Sequence, residues 1–328
     1  MFQLLIILAL LVFLGWILTK PIKTVSLRAS HPNPVKSYAE ALARIDALNA
    51  EEQAQGVADY GLSRLLTHGQ PTEYVVVFLH GFTNCPQQFL ELGKRVFELG
   101  SNVFIPLAPY HGRQDRLTKE LSKLTAEDLA AYGDRAIDIA QGLGQKVMVA
   151  GISGGGTITC WLAQNRNDID TAVPIASMLG VSFVPARLTY PFARVFHSLP
   201  DRYMWWDPRT KADNPYAVYY SYPGYPVHAM SEVLRLGVSV RDQAKQSAPR
   251  AKRVITVIND KEPAVNNTEL RKLNESWKSY GTMEVETIHL DKGLKLPHDI
   301  ITPETPGLDI NIVYDQLMSR VRAIIRPQ

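Results

Sequence analysis

One serine stands among four glycines in the segment GISGGGTITC, which runs from Gly151 to Cys160. The apolar run VMVA precedes it, and residues compatible with a helix follow it. A serine on a tight turn between strand and helix needs neighbours without a Cβ two positions away on either side, because the two backbones come close there. The pattern G-x-S-x-G therefore predicts a nucleophile at Ser153, with Gly151 and Gly155 permitting the turn. Without partner groups, the same glycines would be only a turn before a helix.

A serine hydroxyl becomes a good nucleophile when a base removes its proton and a carboxylate orients that base. The predicted strand RVITVIND ends at Asp260, and the segment LPHDII places His298 in a loop between the last predicted strand and the last predicted helix. We therefore predict Asp260 as the acid and His298 as the base.

Three other residues compete for these two roles. Glu262 follows Asp260 by two residues, where we expect the chain to have left the strand end. Asp299 adjoins His298, and neighbouring side chains on an extended loop usually diverge. His289 lies in the alternating segment MEVETIHL, which favours a strand residue with a structural role.

Attack on a carbonyl creates an oxyanion, which backbone N–H groups commonly stabilise. We expect one donor from Gly154, directly after the nucleophile, and one from Phe82 in the loop LHGFTN. The nearby His80 is expected to hold this loop in shape.

The elements that must position these groups start at Tyr74, where short apolar runs begin to alternate with helical stretches. This alternation predicts a mostly parallel sheet covered by helices on both faces, with the site beyond the carboxyl ends of the strands. The interval 178–253 interrupts the pattern and is rich in aromatic residues. It predicts an inserted cap with a few rings over the active site.

Together, the motifs LHGFTN and GISGG, the acid in VINDKEPAVN and the histidine in PHD resemble the α/β-hydrolase fold, and within it the carboxylesterase and monoacylglycerol lipase group. The resemblance covers roughly residue 59 to the C-terminus, and the family uses the same order of serine, acid and histidine. It implies a capped enzyme that cleaves carboxylic esters through an acyl-enzyme, without a cofactor or metal. Two segments depart from the family, PYHGR and the insertion KGLKL before PHD.

Charge is nearly balanced, with 35 Lys and Arg residues against 32 Asp and Glu. This balance, without a basic stripe, argues against a nucleic-acid partner. Two cysteines, Cys85 and Cys160, are too few for a disulfide framework. We therefore expect a small ester or lipid as substrate, and composition leaves the oligomeric state open.

The N-terminal segment is apolar over residues 2–18, which predicts a membrane anchor in 1–20 followed by a linker and helix in 21–58. The catalytic core is then expected in 59–177 and 254–328. Basic residues after the anchor favour a cytoplasmic catalytic domain, and an exported protein with a signal peptide is the alternative.

Three functions follow from these features. The first is a serine hydrolase that cleaves esters of apolar acyl chains. The second is a thioesterase or acyltransferase that uses the same triad. The third is a membrane-tethered binding protein without catalysis.

Overall fold

The structure, a computed structural model, describes Gly15 and residues 22–326. Within these residues, two sheets are formed by the strands β1 (Arg64–Leu66), β2 (Thr72–Leu79), β3 (Asn102–Ile105), β4 (Gly144–Ile152), β5 (Thr171–Ile175), β6 (Tyr203–Trp205), β7 (Gly224–Pro226), β8 (Arg253–Asn259) and β9 (Glu284–Leu290). The helices of the same part of the chain are α1 (Tyr38–Ala54), α2 (Leu90–Phe97), α3 (Ala126–Ala140), α4 (Gly154–Asn165), α5 (Thr189–Ser198), α6 (Val227–Ala244), α7 (Asn267–Lys278) and α8 (Ile310–Ile325).

The main sheet has seven strands in the order β1-β3-β2-β4-β5-β8-β9. Strand β1 is antiparallel to β3, and the other neighbouring strands are parallel. This arrangement confirms the predicted α/β fold with a mostly parallel sheet. The carboxyl ends of β2, β4 and β8 therefore lie along one edge, and each is followed by a segment with a predicted site residue.

Side chains of the inner strands alternate between two buried faces, so β2, β4, β5 and β8 read as largely continuous apolar runs. In β2, Val75 and Val77 belong to one apolar cluster, and Val76 and Phe78 belong to the other. The first cluster also contains buried residues of α3, α4, α6 and α7, and the second contains those of α2 and α8. Helices thus cover both faces and fix the sheet that carries the site.

The interval 178–253, predicted as a cap, divides into two parts. Residues 178–226, called here the cap segment, contain α5 and the two-stranded antiparallel sheet β6–β7. Helix α6 instead contributes residues such as Val233 and Leu236 to the apolar cluster shared with α3 and α4. It therefore belongs to the helical layer of the core.

The segment 22–36, predicted as a linker, packs against the core. Leu27 is fully buried, and its carbonyl accepts a hydrogen bond from Trp161 Nε1 at 2.7 Å. Ser37 caps α1, because its hydroxyl accepts the N–H of Glu40. The predicted anchor lies outside the described residues, apart from Gly15; among the residues that are described, no helix has the length and apolarity needed to cross a bilayer.

Candidate active site

Ser153 occupies a strained turn between β4 and α4, with φ 55° and ψ −113°. A Cβ at Gly151 would lie 2.4 Å from the Gly155 carbonyl oxygen, and one at Gly155 would lie 2.0 Å from the carbonyl oxygen of Leu79. Only residues without a Cβ fit at these two positions, as the sequence predicted. The turn costs conformational energy, which the surrounding contacts must supply.

Backbone hydrogen bonds hold this turn against the next strand. The Ser153 N–H donates to the carbonyl of Ile175 at 3.0 Å, and the Ser153 carbonyl accepts the N–H groups of Thr157 and Met178, both at 3.0 Å. The hydroxyl is thus carried by a backbone whose donor and acceptor are both engaged. Its position at the carboxyl end of the central strand is fixed by contacts with β5 as well as by β4.

His298 lies in the loop after β9, and a carboxylate orients its ring. Its Nδ1 and Glu262 Oε1 are 2.7 Å apart. The Glu262 side chain is only 1 % exposed, and the same oxygen accepts the N–H groups of Ala264 and Val265. The imidazole and two backbone N–H groups thus hold this carboxylate through one oxygen. Because Nδ1 faces the acid, the other ring nitrogen of His298, Nε2, points away from it.

The two neighbouring carboxylates control the charge of His298. Burial disfavours the imidazolium and lowers its pKa, but the charge and hydrogen bond of Glu262, together with the charge of Asp299, outweigh that effect. The pKa of His298 is therefore raised above its ordinary value. Such an environment stabilises the imidazolium that forms when this ring accepts a proton.

Asp260, the acid predicted from the sequence, does not pair with His298. The chain turns after β8, with the Glu262 N–H donating to the Asn259 carbonyl at 3.1 Å. This turn directs Glu262 towards His298 and leaves Asp260 beside the edge strand β9, where its carboxylate lies 3.0 Å from Nδ1 of His289. Glu262 was expected to lie too far beyond the strand end to reach the site. The turn instead brings its carboxylate to His298.

Phe82, whose backbone N–H is the second predicted donor to the oxyanion, lies against the start of α4. A Cβ at Gly154 would be only 3.1 Å from the Phe82 nitrogen, so the two N–H groups are neighbours. Within the described residues, neither N–H has a hydrogen-bond acceptor. Two adjacent unpaired donors beside a serine have the composition of an oxyanion hole.

Two buried neutral histidines hold the loop that carries Phe82. His80 accepts the N–H of Ala108 through Nε2, so its Nδ1–H donates to the carbonyl of Gly81. His111 Nε2 accepts the N–H of Thr83. Burial, and for His80 the neighbouring imidazole, lowers the pKa of His80 to about 3, and burial lowers that of His111 to about 4. Both rings remain neutral near pH 7, which agrees with the structural role predicted for His80.

Thr83 joins this loop to the cap segment. Its backbone is left-handed, with φ 69°, and its hydroxyl accepts Trp206 Nε1–H at 2.9 Å. Its carbonyl accepts the N–H of Tyr222 at 2.8 Å. The cap segment is therefore hydrogen-bonded to the residue next to Phe82.

A cavity of about 670 Å³ brings these groups together. Ser153 and His298 both line it, and Asp260 does not. The cap segment contributes three rings to its wall, those of Trp206, Tyr216 and Tyr222. Apolar side chains complete much of the lining, namely Phe82, Ile152, Met178, Val181, Met230 and Val265.

Comparison with known proteins identifies the family of this chain. Residues 76–282 match the model of a family described as the alpha/beta hydrolase family, which is more than half of the chain. The chain belongs to the alpha/beta hydrolase family. The predicted resemblance to the α/β-hydrolase fold is confirmed.

One curated relative is a thermostable monoacylglycerol lipase of Bacillus sp. (strain H-257), 28 % identical over 114 residues. The match covers 35 % of this chain and 44 % of that protein, so the chain spans less than half the length of this relative.

Solved structures share the fold at low identity. A structure from work on LipS and LipT, two metagenome-derived lipolytic enzymes, has a TM-score of 0.57 at 18 % identity, covering 81 % of this chain and 99 % of that one. The monoacylglycerol lipase of Paleococcus ferrophilus has a TM-score of 0.56 at 16 % identity, covering 79 % and 97 %.

Proposed function

We propose that this protein is a serine hydrolase that cleaves carboxylic esters of apolar acyl chains through an acyl-enzyme. Ser153 is the nucleophile, His298 the general base and Glu262 the carboxylate that orients it, in place of the predicted Asp260. The observation that carries the proposal is a strained serine in one cavity with a histidine whose Nδ1 bonds a buried carboxylate.

The reaction uses these groups in sequence. His298 Nε2 takes the hydroxyl proton as the Ser153 oxygen bonds to the ester carbonyl carbon. The carbonyl oxygen becomes an oxyanion and accepts the N–H groups of Phe82 and Gly154. Collapse of this intermediate breaks the ester C–O bond, and the imidazolium returns its proton to the departing alcohol. Water, deprotonated by the same ring, then hydrolyses the acyl-enzyme and releases the acid.

The substrate preference rests on the lining of the cavity. Methionine and aliphatic side chains at Met178, Val181 and Met230 favour an acyl chain, because burying apolar surface contributes about 25 cal/mol per Å². The lipase relatives support an ester or lipid substrate.

A fluorophosphonate probe tests the nucleophile. We expect the probe to label the folded wild type at Ser153, as located by peptide mass spectrometry, and to leave Ser153→Ala unlabelled. A panel of nitrophenyl esters should then be cleaved, with kcat/KM rising from short to longer acyl chains. Absence of labelling in the folded protein, or labelling at another serine, would contradict the proposal.

The same acyl-enzyme could pass its acyl group to an acceptor other than water. Comparing turnover of matched esters and thioesters, with and without added alcohol, separates a hydrolase from a thioesterase or acyltransferase. A folded wild type that turns over none of these compounds would favour the non-catalytic binding protein instead.

We also propose that residues 2–18 anchor the enzyme to a membrane, with the catalytic domain in the cytoplasm. The support is the apolarity of this segment and the basic residues after it. Full-length protein should stay with membranes through alkaline carbonate extraction, whereas a variant lacking residues 1–20 should be released. Protection of the folded domain from protease outside intact cells would distinguish this topology from export.

A further inference from the structure

A buried glutamine connects the two loops that the proposed mechanism requires. Gln88 lies in a short helical turn, Pro86–Phe89, after the loop of Phe82, and is only 2 % exposed. Its Oε1 accepts the N–H of Gly81 at 2.8 Å, and its Nε2 donates to Asp299 Oδ2 at 2.9 Å. One amide group therefore spans from the residue before Phe82 to the residue after His298.

We propose that Gln88 is a positioning residue that sets the oxyanion donor of Phe82 and the ring of His298 relative to each other. The inference rests on the proposed function, since it concerns the geometry of that site.

The amide of Gln88 suits both ends of this bridge. Gly81 offers a donor and Asp299 an acceptor, and a glutamine side chain carries one group of each kind at a fixed separation. Burial makes both bonds costly to lose, because a buried polar group left without a partner has lost its water contacts and gained nothing in exchange. The bridge therefore resists displacement at either end.

The Gly81 end acts on the oxyanion hole. The Gly81 N–H belongs to the planar peptide before Gly81, and the Gly81 carbonyl shares the next planar peptide with the Phe82 N–H. Gln88 holds the first of these planes and His80 Nδ1 holds the second, so the two bonds together restrict rotation at Gly81. The Phe82 N–H is the donor beside Gly154. A donor displaced by about 1 Å from the oxyanion loses most of its contribution to the transition state.

The Asp299 end acts on the histidine loop. Asp299 Oδ1 accepts the N–H groups of Ile301 and Thr302, and its Oδ2 accepts the Thr302 hydroxyl at 2.6 Å. These bonds close the chain directly after His298 into a turn. Gln88 attaches that turn to the loop of Phe82, while Glu262 holds the ring itself.

The test compares Gln88→Leu with Gln87→Leu, a matched change at a partly exposed neighbour in the same helical turn. Steady-state kinetics on a nitrophenyl ester are normalised to the number of sites labelled by fluorophosphonate, so that unfolded protein does not count. We expect Gln88→Leu to lower kcat about 10-fold or more with KM changed much less, since removal of a whole oxyanion donor costs about 10²–10³. Gln87→Leu should match the wild type.

A double-mutant cycle separates positioning from simple stability. Asp299→Asn keeps the shape of the side chain, and its effect on log kcat should be strongly non-additive with that of Gln88→Leu, because both break one bridge. Asp299→Asn should also move the acid limb of the pH profile to lower pH, since Asp299 and Glu262 are the charges that raise the pKa of His298. Gln88→Leu should lower the plateau and leave that limb in place.

Gln88→Glu provides a second variant in case Gln88→Leu does not fold. It keeps the acceptor for the Gly81 N–H but sets a carboxylate against Asp299, so kcat should again fall. Normal kcat per labelled site in Gln88→Leu or Gln88→Glu, or additive effects in the cycle, would overturn the inference while leaving the proposed function intact. A folded wild type that is not labelled at Ser153 would overturn both.

Discussion

The turn after β4 and the turn after β8 both carry a predicted catalytic group, yet they are built in different ways. The turn at Ser153 is determined by backbone contacts, because Gly151 and Gly155 meet neighbouring backbone atoms where a Cβ would clash. The turn at residues 259–262 is closed by the Glu262 N–H bonded to the Asn259 carbonyl, and it carries two carboxylates, Asp260 and Glu262, that residue type does not distinguish as the acid. One turn has a glycine signature, and the other has none.

This difference shows what limits a prediction of site residues. Close backbone approach leaves a mark in the sequence, because only glycine tolerates it. The role of a carboxylate depends instead on which side chains lie within hydrogen-bond distance of it in the folded chain. The Asp260 carboxylate bonds His289 and Arg271 beside the edge strand β9, whereas the Glu262 carboxylate bonds His298.

The largest expected effect comes from the β4 turn. Ser153→Ala removes the nucleophilic oxygen, so kcat for a nitrophenyl ester should fall on the order of 10⁶-fold. Folding should be nearly unchanged, as circular dichroism and the melting temperature would show. A variant that retains measurable acyl-enzyme would place the nucleophile elsewhere.

The β8 turn gives the next largest effect and the sharpest comparison. Glu262→Gln removes the charge that orients and stabilises the imidazolium, so kcat should fall about 10⁴-fold. Asp260→Asn is the matched control, and its kcat should stay close to the wild type because its carboxylate bonds His289 instead. If the two variants lost activity in the opposite order, the acid would be Asp260.

The glycine signature predicts a stability effect. Gly155→Ala would put a Cβ 2.0 Å from the Leu79 carbonyl oxygen, a rigid backbone atom, so the free energy of unfolding should fall by about 3 kcal/mol. Gly237→Ala in α6 is the control, since its nearest contact is a movable Leu179 methyl group at 3.3 Å. Urea denaturation measures both, and an equal effect would remove the special role of the β4 turn.

The smallest expected effect is a shift in the pH profile. His298 must be neutral to accept a proton, and its raised pKa moves the acid limb of kcat/KM above the ordinary histidine value. Residual activity of Glu262→Gln should show this limb at lower pH, since the largest favourable charge next to the imidazolium is gone. Asp260→Asn should leave the limb where it is, and a shift there would tie Asp260 to the ring.

Much of the fold could be predicted from residue order. Apolar runs separated by helical stretches predicted the parallel sheet, because both faces of its strands are buried. The pattern could not separate α6 from the cap segment, since its burial against α3 and α4 depends on tertiary packing. It also gave no sign that segment 22–36 packs on Trp161.

The glycine pattern predicted the turn at Ser153, because the backbone at Gly151 and Gly155 leaves no room for a Cβ. The contact of Glu262, rather than Asp260, with His298 and the bridge made by Gln88 between the two loops depend on long-range packing. These contacts join residues far apart along the chain. Their partners are chosen by distance and direction in space, which residue type and spacing do not encode.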